Sequence, residues 1–292
     1  MEILQVTQSR GAGREFSEWL DEYQKIIDAR KYAKKTLQNK TAILSLMRRE
    51  LGRKSIRKMT PRELNDFVNL YTTRDKMSAA KSAYILVRDI FREAWLAGWV
   101  QHSPAIPLRA PKNPVKRSRL VIDEWTKIYK LSHVICRPYM PHAMALALVT
   151  GQRRGDISKM RRSDIYDGHL HIEQQKTGFK LALPLELYCP ALNKTLKQIL
   201  AACPGDDYLL SARRQIGPYS LSSGFKIARD AAFPDANTRW LSPPTFHEQR
   251  SLSERLYREQ GVNTQRLLGH KSQFMTDRYN DDRGREWKRL VL

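Results

Sequence analysis

The chain has 292 residues, 41% of them hydrophobic and 28% charged, with a net charge of +22. This is comfortable for two domains and fits a soluble protein with buried cores. No apolar run approaches the roughly 20 residues needed to cross a bilayer, no signal peptide opens the chain, and three widely spaced cysteines without a CxxC pair argue against a disulfide framework or a zinc site.

The excess of basic residues is spread along the chain and not gathered in a tail, which points to nucleic acid as the partner. Composition alone leaves a merely basic or ribosome-associated protein open. The cysteine usage suits a reducing interior, cytosol or nucleus.

Residues 1–14 carry little pattern, with Gly11 and Gly13 among them, and read as a flexible lead-in. Helical spacing begins near Glu15, where Phe16, Trp19, Leu20, Tyr23, Ile26 and Ile27 recur at steps of three and four. A second helix is predicted over residues 34–51, with Leu37, Ile43, Leu44 and Met47 among lysines and arginines and Gly52 as its stop. Thr60-Pro61-Arg62-Glu63 is a helix start: Thr60 caps, Pro61 suits the first turn and Glu63 completes a capping box. A longer helix follows over residues 78–98, with Ala80, Ala83, Leu86, Val87, Ile90, Phe91, Ala94 and Trp95 as its apolar stripe. Together these make a bundle of about four helices.

Between Pro104 and Arg119 the text becomes dense in proline and basic residues, which prevents helix and sheet. A linker crossing an acidic polymer accounts for both stiffness and charge, and the domain boundary is placed there. The second domain opens with a helix from Ile122 and a nearly uncharged, buried one ending at Thr150. Asp167-Gly168 is a tight hairpin turn. Alternating runs around Leu170 and Ile172, then Phe179, Leu181 and Leu183, predict a three-stranded antiparallel sheet with Lys176 at its second turn. Residues 222–232 read as a basic helix. Thr245 with Glu248 reads as a further capping box; Asn263 caps a short helix ending at Gly269, and Ser272 caps the next.

The polar groups that could act together are Arg153, Lys176, His247, Arg250, His270 and Tyr279. His247 and Arg250, three apart, share a helix face. Two arginines can clamp one phosphodiester and stabilise the added charge of a pentavalent transition state. A tyrosine hydroxyl can attack phosphorus and form a covalent ester. A lysine on a hairpin tip can protonate the leaving 5′ oxygen, and a histidine can accept the tyrosine proton or bond a phosphate oxygen. None of this needs a cofactor or a metal. Lys180 competes with Lys176, and Tyr257 with Tyr279, on spacing alone; Tyr257 sits in a helix beside Leu256, as a core residue would.

These residues stand in five pieces: ALVTGQRRGD over 147–156, EQQKTG over 173–178, PPTFHEQRSLS over 243–253, LLGHKS over 267–272 and YNDDRGREW over 279–287. In kind and order they resemble the tyrosine recombinases, and more narrowly the phage integrases of the lambda type. The resemblance implies a fold that is mainly α with a small antiparallel β-sheet: a helical core-type DNA-binding domain over 15–103, a basic linker over 104–119, and a mixed α/β catalytic domain with a C-terminal tail over 120–292. It implies Arg153 as the first clamping arginine with Asp156 as its structural support, and Lys176 as general acid. His247 and Arg250 would contact the scissile phosphate, and His270 would be a third phosphate ligand or the proton acceptor. Tyr279 would be the nucleophile, leaving a 3′-phosphotyrosine and a free 5′ hydroxyl.

The implied function is site-specific recombination through a Holliday junction, integrating or excising a mobile element in the cytoplasm of a bacterial host. The implied partners are double-stranded DNA bearing core-type attachment sites, a homo-tetramer on that DNA, and accessory DNA-bending and directionality proteins. Lambda-type relatives carry a small N-terminal arm-binding domain, which the residues before Glu15 are too few to form. The rival readings are a resolvase, conjugative-transposon recombinase or topoisomerase with the same chemistry, and a catalytically inactive DNA-binding regulator.

Overall fold

In a computed structural model of the protein, residues 14–112 and 118–280 are described. The lead-in, the C-terminal tail and the middle of the 104–119 segment lie outside them. The chain divides into two compact units, Met1–Val115 and Lys116–Leu292. Among the described residues no helix is long and apolar enough to cross a membrane.

The first unit is a bundle of α1 (Phe16–Ala29), α2 (Lys34–Leu51), α3 (Pro61–Thr72) and α4 (Met77–Leu96). Its core takes Phe16, Trp19, Leu20, Tyr23 and Ile27 from α1 and Leu86, Val87, Ile90 and Phe91 from α4, stacked through Phe16 on Phe91. Ala80, Ala83 and Ala94 are fully buried, and their small size lets neighbouring helices approach α4 closely. The Thr60 capping box forms as the sequence predicts: the Thr60 hydroxyl accepts from Glu63 N–H and Glu63 reaches back to Thr60 N–H. Trp95 departs from the expected stripe and is 51% exposed. Ala94 occupies the inward position at that turn, and the next residue lies about 100° further round the helix.

The second unit is built around α6 (Tyr139–Thr150), whose residues from Ala143 onward are all buried. α5 (Ile122–Ile135) precedes it, and α7 (Arg154–Ile157) follows after a break. Then come β1 (Ile165–Tyr166), β2 (His169–Glu173) and β3 (Lys180–Pro184), an antiparallel sheet in the order β1-β2-β3 with Leu170 opposite Leu183 and Glu173 opposite Lys180. Asp167 and Gly168 both take positive φ, 50° and 66°, which a type I′ hairpin requires. A smaller sheet of β4 (Tyr188–Cys189) and β5 (Lys194–Thr195), not anticipated from the sequence, leads into α8 (Leu196–Ala201). The remaining helices are α9 (Pro218–Ala232), α10 (Ala236–Arg239), α11 (Glu248–Glu259), α12 (Thr264–Leu268) and α13 (Gln273–Asn280). The architecture is mainly α with a small antiparallel sheet, as the resemblance implies.

Two local expectations change. The ends of the 104–119 segment pack into the cores beside them: Ala105 and Leu108 in the first unit, Ser118 and Arg119 buried in the second. Ser118 N–H donates to Ser242 O there. The capping box at Thr245 does not form. α11 starts at Glu248, after a backbone turn in which Glu248 N–H meets Thr245 O. The Glu248 carboxylate is buried 3.6 Å from the Arg119 guanidinium. A buried carboxylate needs a charged partner more than a helix needs a cap worth about 1 kcal/mol.

Candidate active site

Arg153 stands where α6 has just ended. Gly151, at φ +63°, breaks the helix in the left-handed conformation, and a Cβ there would lie 2.8 Å from Leu268 Cδ2. The tight turn therefore fixes the direction in which Arg153 leaves the core. Its Nη1 donates to Gln174 Oε1 at 2.9 Å. Asp156 is buried, and its Oδ1 accepts from Gln175 N–H at 2.8 Å. The bond of the expected supporting carboxylate thus goes to the turn that carries Lys176.

Lys176 occupies the exposed turn between β2 and β3. With Arg153, Asp156, Thr245 and His247 it lines a cleft of about 790 Å³, whose other wall includes Arg154 and the α9 residues Ser222 and Lys226. The competing Lys180 instead lies 3.7 Å from Glu173, its cross-strand partner on β2.

Arg250 projects from the first turn of α11 and is 1% exposed. Nη1 donates to Gly151 O at 2.7 Å, and Nη2 to Leu268 O at 2.6 Å and to His270 Nε2 at 3.0 Å. One guanidinium thereby ties together the turns that lead to Arg153 and to His270. Burial, and then the neighbouring Arg153 charge, lower its pKa to about 10, so it stays protonated at neutral pH.

His270 is 5% exposed and follows Gly269, which ends α12 at φ +62°. An arginine can only donate, so His270 Nε2 accepts and its proton sits on Nδ1, 2.9 Å from the buried Thr276 hydroxyl. Burial, followed by the charges of Arg250 and Arg153, lowers the His270 pKa to about 4 and keeps the ring neutral.

Tyr279, on α13, is half-buried. Its ring stacks on His270 with centroids 5.2 Å apart, the Arg250 guanidinium lies 5.7 Å from the ring centre, and its hydroxyl is 3.5 Å from His247 Nε2. Ser251 Oγ donates to the Tyr279 carbonyl at 3.0 Å, and Arg119 Nη1 donates to Ser251 Oγ. The competing Tyr257 is 1% exposed in the hydrophobic core, and burial pushes its phenol well above the ordinary range.

Arg250, His270, His247 and Tyr279 are therefore in direct contact or nearly so. Arg153 and Lys176 share the cleft with His247. What the sequence reading missed is the set of polar groups behind them: Gln152, Gln174, Ser251, Thr276 and Arg119. Gln152 and Gln174 are 2% and 0% exposed. Their one sequence signal is adjacency, since each lies within two residues of a candidate site residue. Among the described residues no group of His, Cys, Asp and Glu is arranged to hold a metal ion.

A phage integrase family model matches residues 119–285. The chain is 41% identical over 307 residues to a prophage integrase of Escherichia coli (strain K12), covering 98% of this chain and 80% of that protein. It is 40% identical over 282 residues to the integrase of Escherichia phage lambda, covering 94% and 78%. Among solved structures it resembles a lambda integrase dimer bound to a COC′ core site, with a TM-score of 0.86 and 38% identity over 96% of this chain and 81% of that one. A lambda integrase tetramer bound to a Holliday junction matches with the same TM-score, identity and coverage.

Proposed function

The chain belongs to the phage integrase family, and from that premise we propose a residue-level account of how it acts as a site-specific tyrosine recombinase on DNA. The observation that carries this account is the Tyr279 hydroxyl, 3.5 Å from His247 Nε2, with its ring held against His270 and beneath Arg250. In this reading that phenol attacks a phosphodiester held between Arg153, Lys176 and His247.

Arg153 and Arg250 supply the positive field for the phosphate and for the charge that builds as phosphorus becomes five-coordinate. Tyr279 Oη attacks phosphorus, and its proton passes to His247 Nε2. The bond from phosphorus to the 5′ oxygen breaks, and Lys176 gives that oxygen a proton. The products are a 3′-phosphotyrosine and a 5′ hydroxyl. Because the ester retains the bond, a 5′ hydroxyl from a second duplex can reverse the step and join new strands. The 3.5 Å separation is at the outer limit of a hydrogen bond, as catalytic contacts are before substrate arrives. His270 is not free to take the tyrosine proton while its Nε2 accepts from Arg250. Its part is to orient Arg250 and to back the Tyr279 ring.

The charge of +22 supports duplex DNA as the substrate. The tetramer of the lambda relative on a Holliday junction supports a four-copy assembly on DNA here. We place the reaction in the cytoplasm of a bacterial host, with accessory DNA-bending proteins as further partners. The test incubates the protein with nicked fragments of host DNA, traps covalent adducts and sequences the bound strands. Wild type should yield a 3′-linked adduct at a defined core site. Tyr279→Phe should bind the same site and form none; an adduct that persists in this variant moves the nucleophile elsewhere.

A further inference from the structure

The carboxamide of Gln174 bonds to Arg153, to the turn that carries Lys176 and to the end of α12, yet no step of strand cleavage uses it. Its Oε1 accepts from Arg153 Nη1 at 2.9 Å and from Thr177 Oγ1 at 2.8 Å. Its Nε2 donates to Gln152 Oε1 at 2.8 Å and to Leu268 O at 2.9 Å. An amide has two acceptor sites and two N–H donors, and all four are used here. The orientation is fixed, because a guanidinium cannot accept and a carbonyl cannot donate. Gln152 extends the network: its Nε2 donates to Thr150 O at 2.8 Å and to Leu267 O at 2.9 Å. Two buried amides thus join the end of α6, the β2–β3 turn and the end of α12.

The surrounding backbone makes room for this arrangement. A Cβ on Gly269 would lie 2.8 Å from both Gln174 Nε2 and Phe179 Cδ1, so only glycine lets the chain after Leu268 pass so close. The turn itself closes on Gln174, whose N–H donates to Phe179 O and whose carbonyl accepts from Thr177 and Gly178 N–H. Lys176 is two residues from this anchor and beside Thr177, which shares the Gln174 oxygen with Arg153.

We propose that Gln174 is the positioning residue that sets Lys176 and Arg153 at a fixed separation, with Thr177 as the hydroxyl through which it holds the lysine turn. The inference rests on the reading of Lys176 as proton donor to the 5′ oxygen. Misplacing a catalytic group by an ångström can cost about 100-fold in rate, so loss of the shared oxygen should be felt in catalysis and not in binding.

The test is single-turnover adduct formation on the recovered core site. One substrate carries the normal 5′ oxygen at the scissile bond and the other carries sulfur there. A thiolate leaves without being protonated, so the sulfur substrate does not need the lysine proton. On the oxygen substrate, Thr177→Val should cleave roughly 10- to 100-fold more slowly with unchanged DNA affinity. On the sulfur substrate it should return to within about threefold of wild type, and Thr177→Ser should be close to wild type on both. Gln174→Met, which keeps the volume and removes all four bonds, should be only partly restored by sulfur, since Arg153 loses its anchor as well. Equal slowing of Thr177→Val on both substrates, or no slowing on either, overturns the proposal. Lys176→Ala separates this from failure of the underlying reading: if sulfur restores it, Lys176 is the proton donor, and if not, that reading falls and the inference with it. Should Gln174→Met fail to fold, Thr177→Val on the exposed turn still decides.

Discussion

His270 lies behind the Tyr279 ring with its Nε2 receiving a hydrogen bond from Arg250, while His247 approaches the hydroxyl of the same tyrosine. The two imidazoles therefore respond differently to substitution. Removing His247 should slow cleavage by about 10² or more, the usual contribution of a positioned proton acceptor. His270→Gln should act mainly through Arg250, and its pH signature is separate. The folded-state pKa of His270 is about 4, below the ordinary 6.5, so between those values the unfolded chain binds more protons than the folded one. Stability from this group is complete above pH 6.5 and declines as pH falls toward 4. Denaturant melts should show wild type losing up to about 2 kcal/mol more than His270→Gln between pH 7 and pH 5. Equal losses would mean that His270 is not held neutral. The candidate residues were legible individually because each has an unusual chemical capability at a suggestive spacing. Their supports were not, because Gln174 and Thr276 are ordinary polar residues until the fold brings partners to them.

Thr60 and Thr245 carry the same helix-start signature, and of these two only Thr60 makes it. At Thr60 the box closes with a half-buried acid, and Glu63, its pKa held down to about 2 first by its hydrogen bond from Lys54 and then by Thr60 N–H, reaches back as predicted. At Thr245 the corresponding acid is buried against Arg119, far away along the chain. Thr60→Ala should therefore lower stability by about 1 kcal/mol, and Thr245→Ala should leave α11 without that loss; thermal melts of the two variants check this. If both lose the same amount, Thr245 is a cap after all. A capping box is written within four residues and can be read there. The claim of a distant arginine on its glutamate cannot. By the same logic the uncharged run of α6 and the Asp167-Gly168 hairpin were readable, whereas the β4–β5 pair, with two residues per strand, leaves no alternation to detect.

For the whole molecule, the charge of +22 is the property that the substrate feels first. Binding should follow the release of counterions from phosphates. With six to ten phosphates engaged, affinity should fall about 10³- to 10⁵-fold between 50 and 200 mM salt. Titrations at several salt concentrations would measure the slope, and an affinity flat across that range would exclude the expected backbone contacts. The charge and the proline-dense interval near residue 110 were visible in the sequence because both are compositional. The margins of that interval were not, since whether Leu108 or Arg119 belongs to a core depends on partners elsewhere in each unit.

Arg119 gives that margin a practical meaning for anyone exchanging the first unit of the protein. The side chain of Arg119 holds Ser251, and Ser251 holds the carbonyl of Tyr279. A chimera spliced after residue 119 would keep every proposed catalytic residue and discard the strut behind Tyr279. Splicing before Ser118 carries the strut along with the second unit, so the useful splice point lies earlier than the start of α5 suggests.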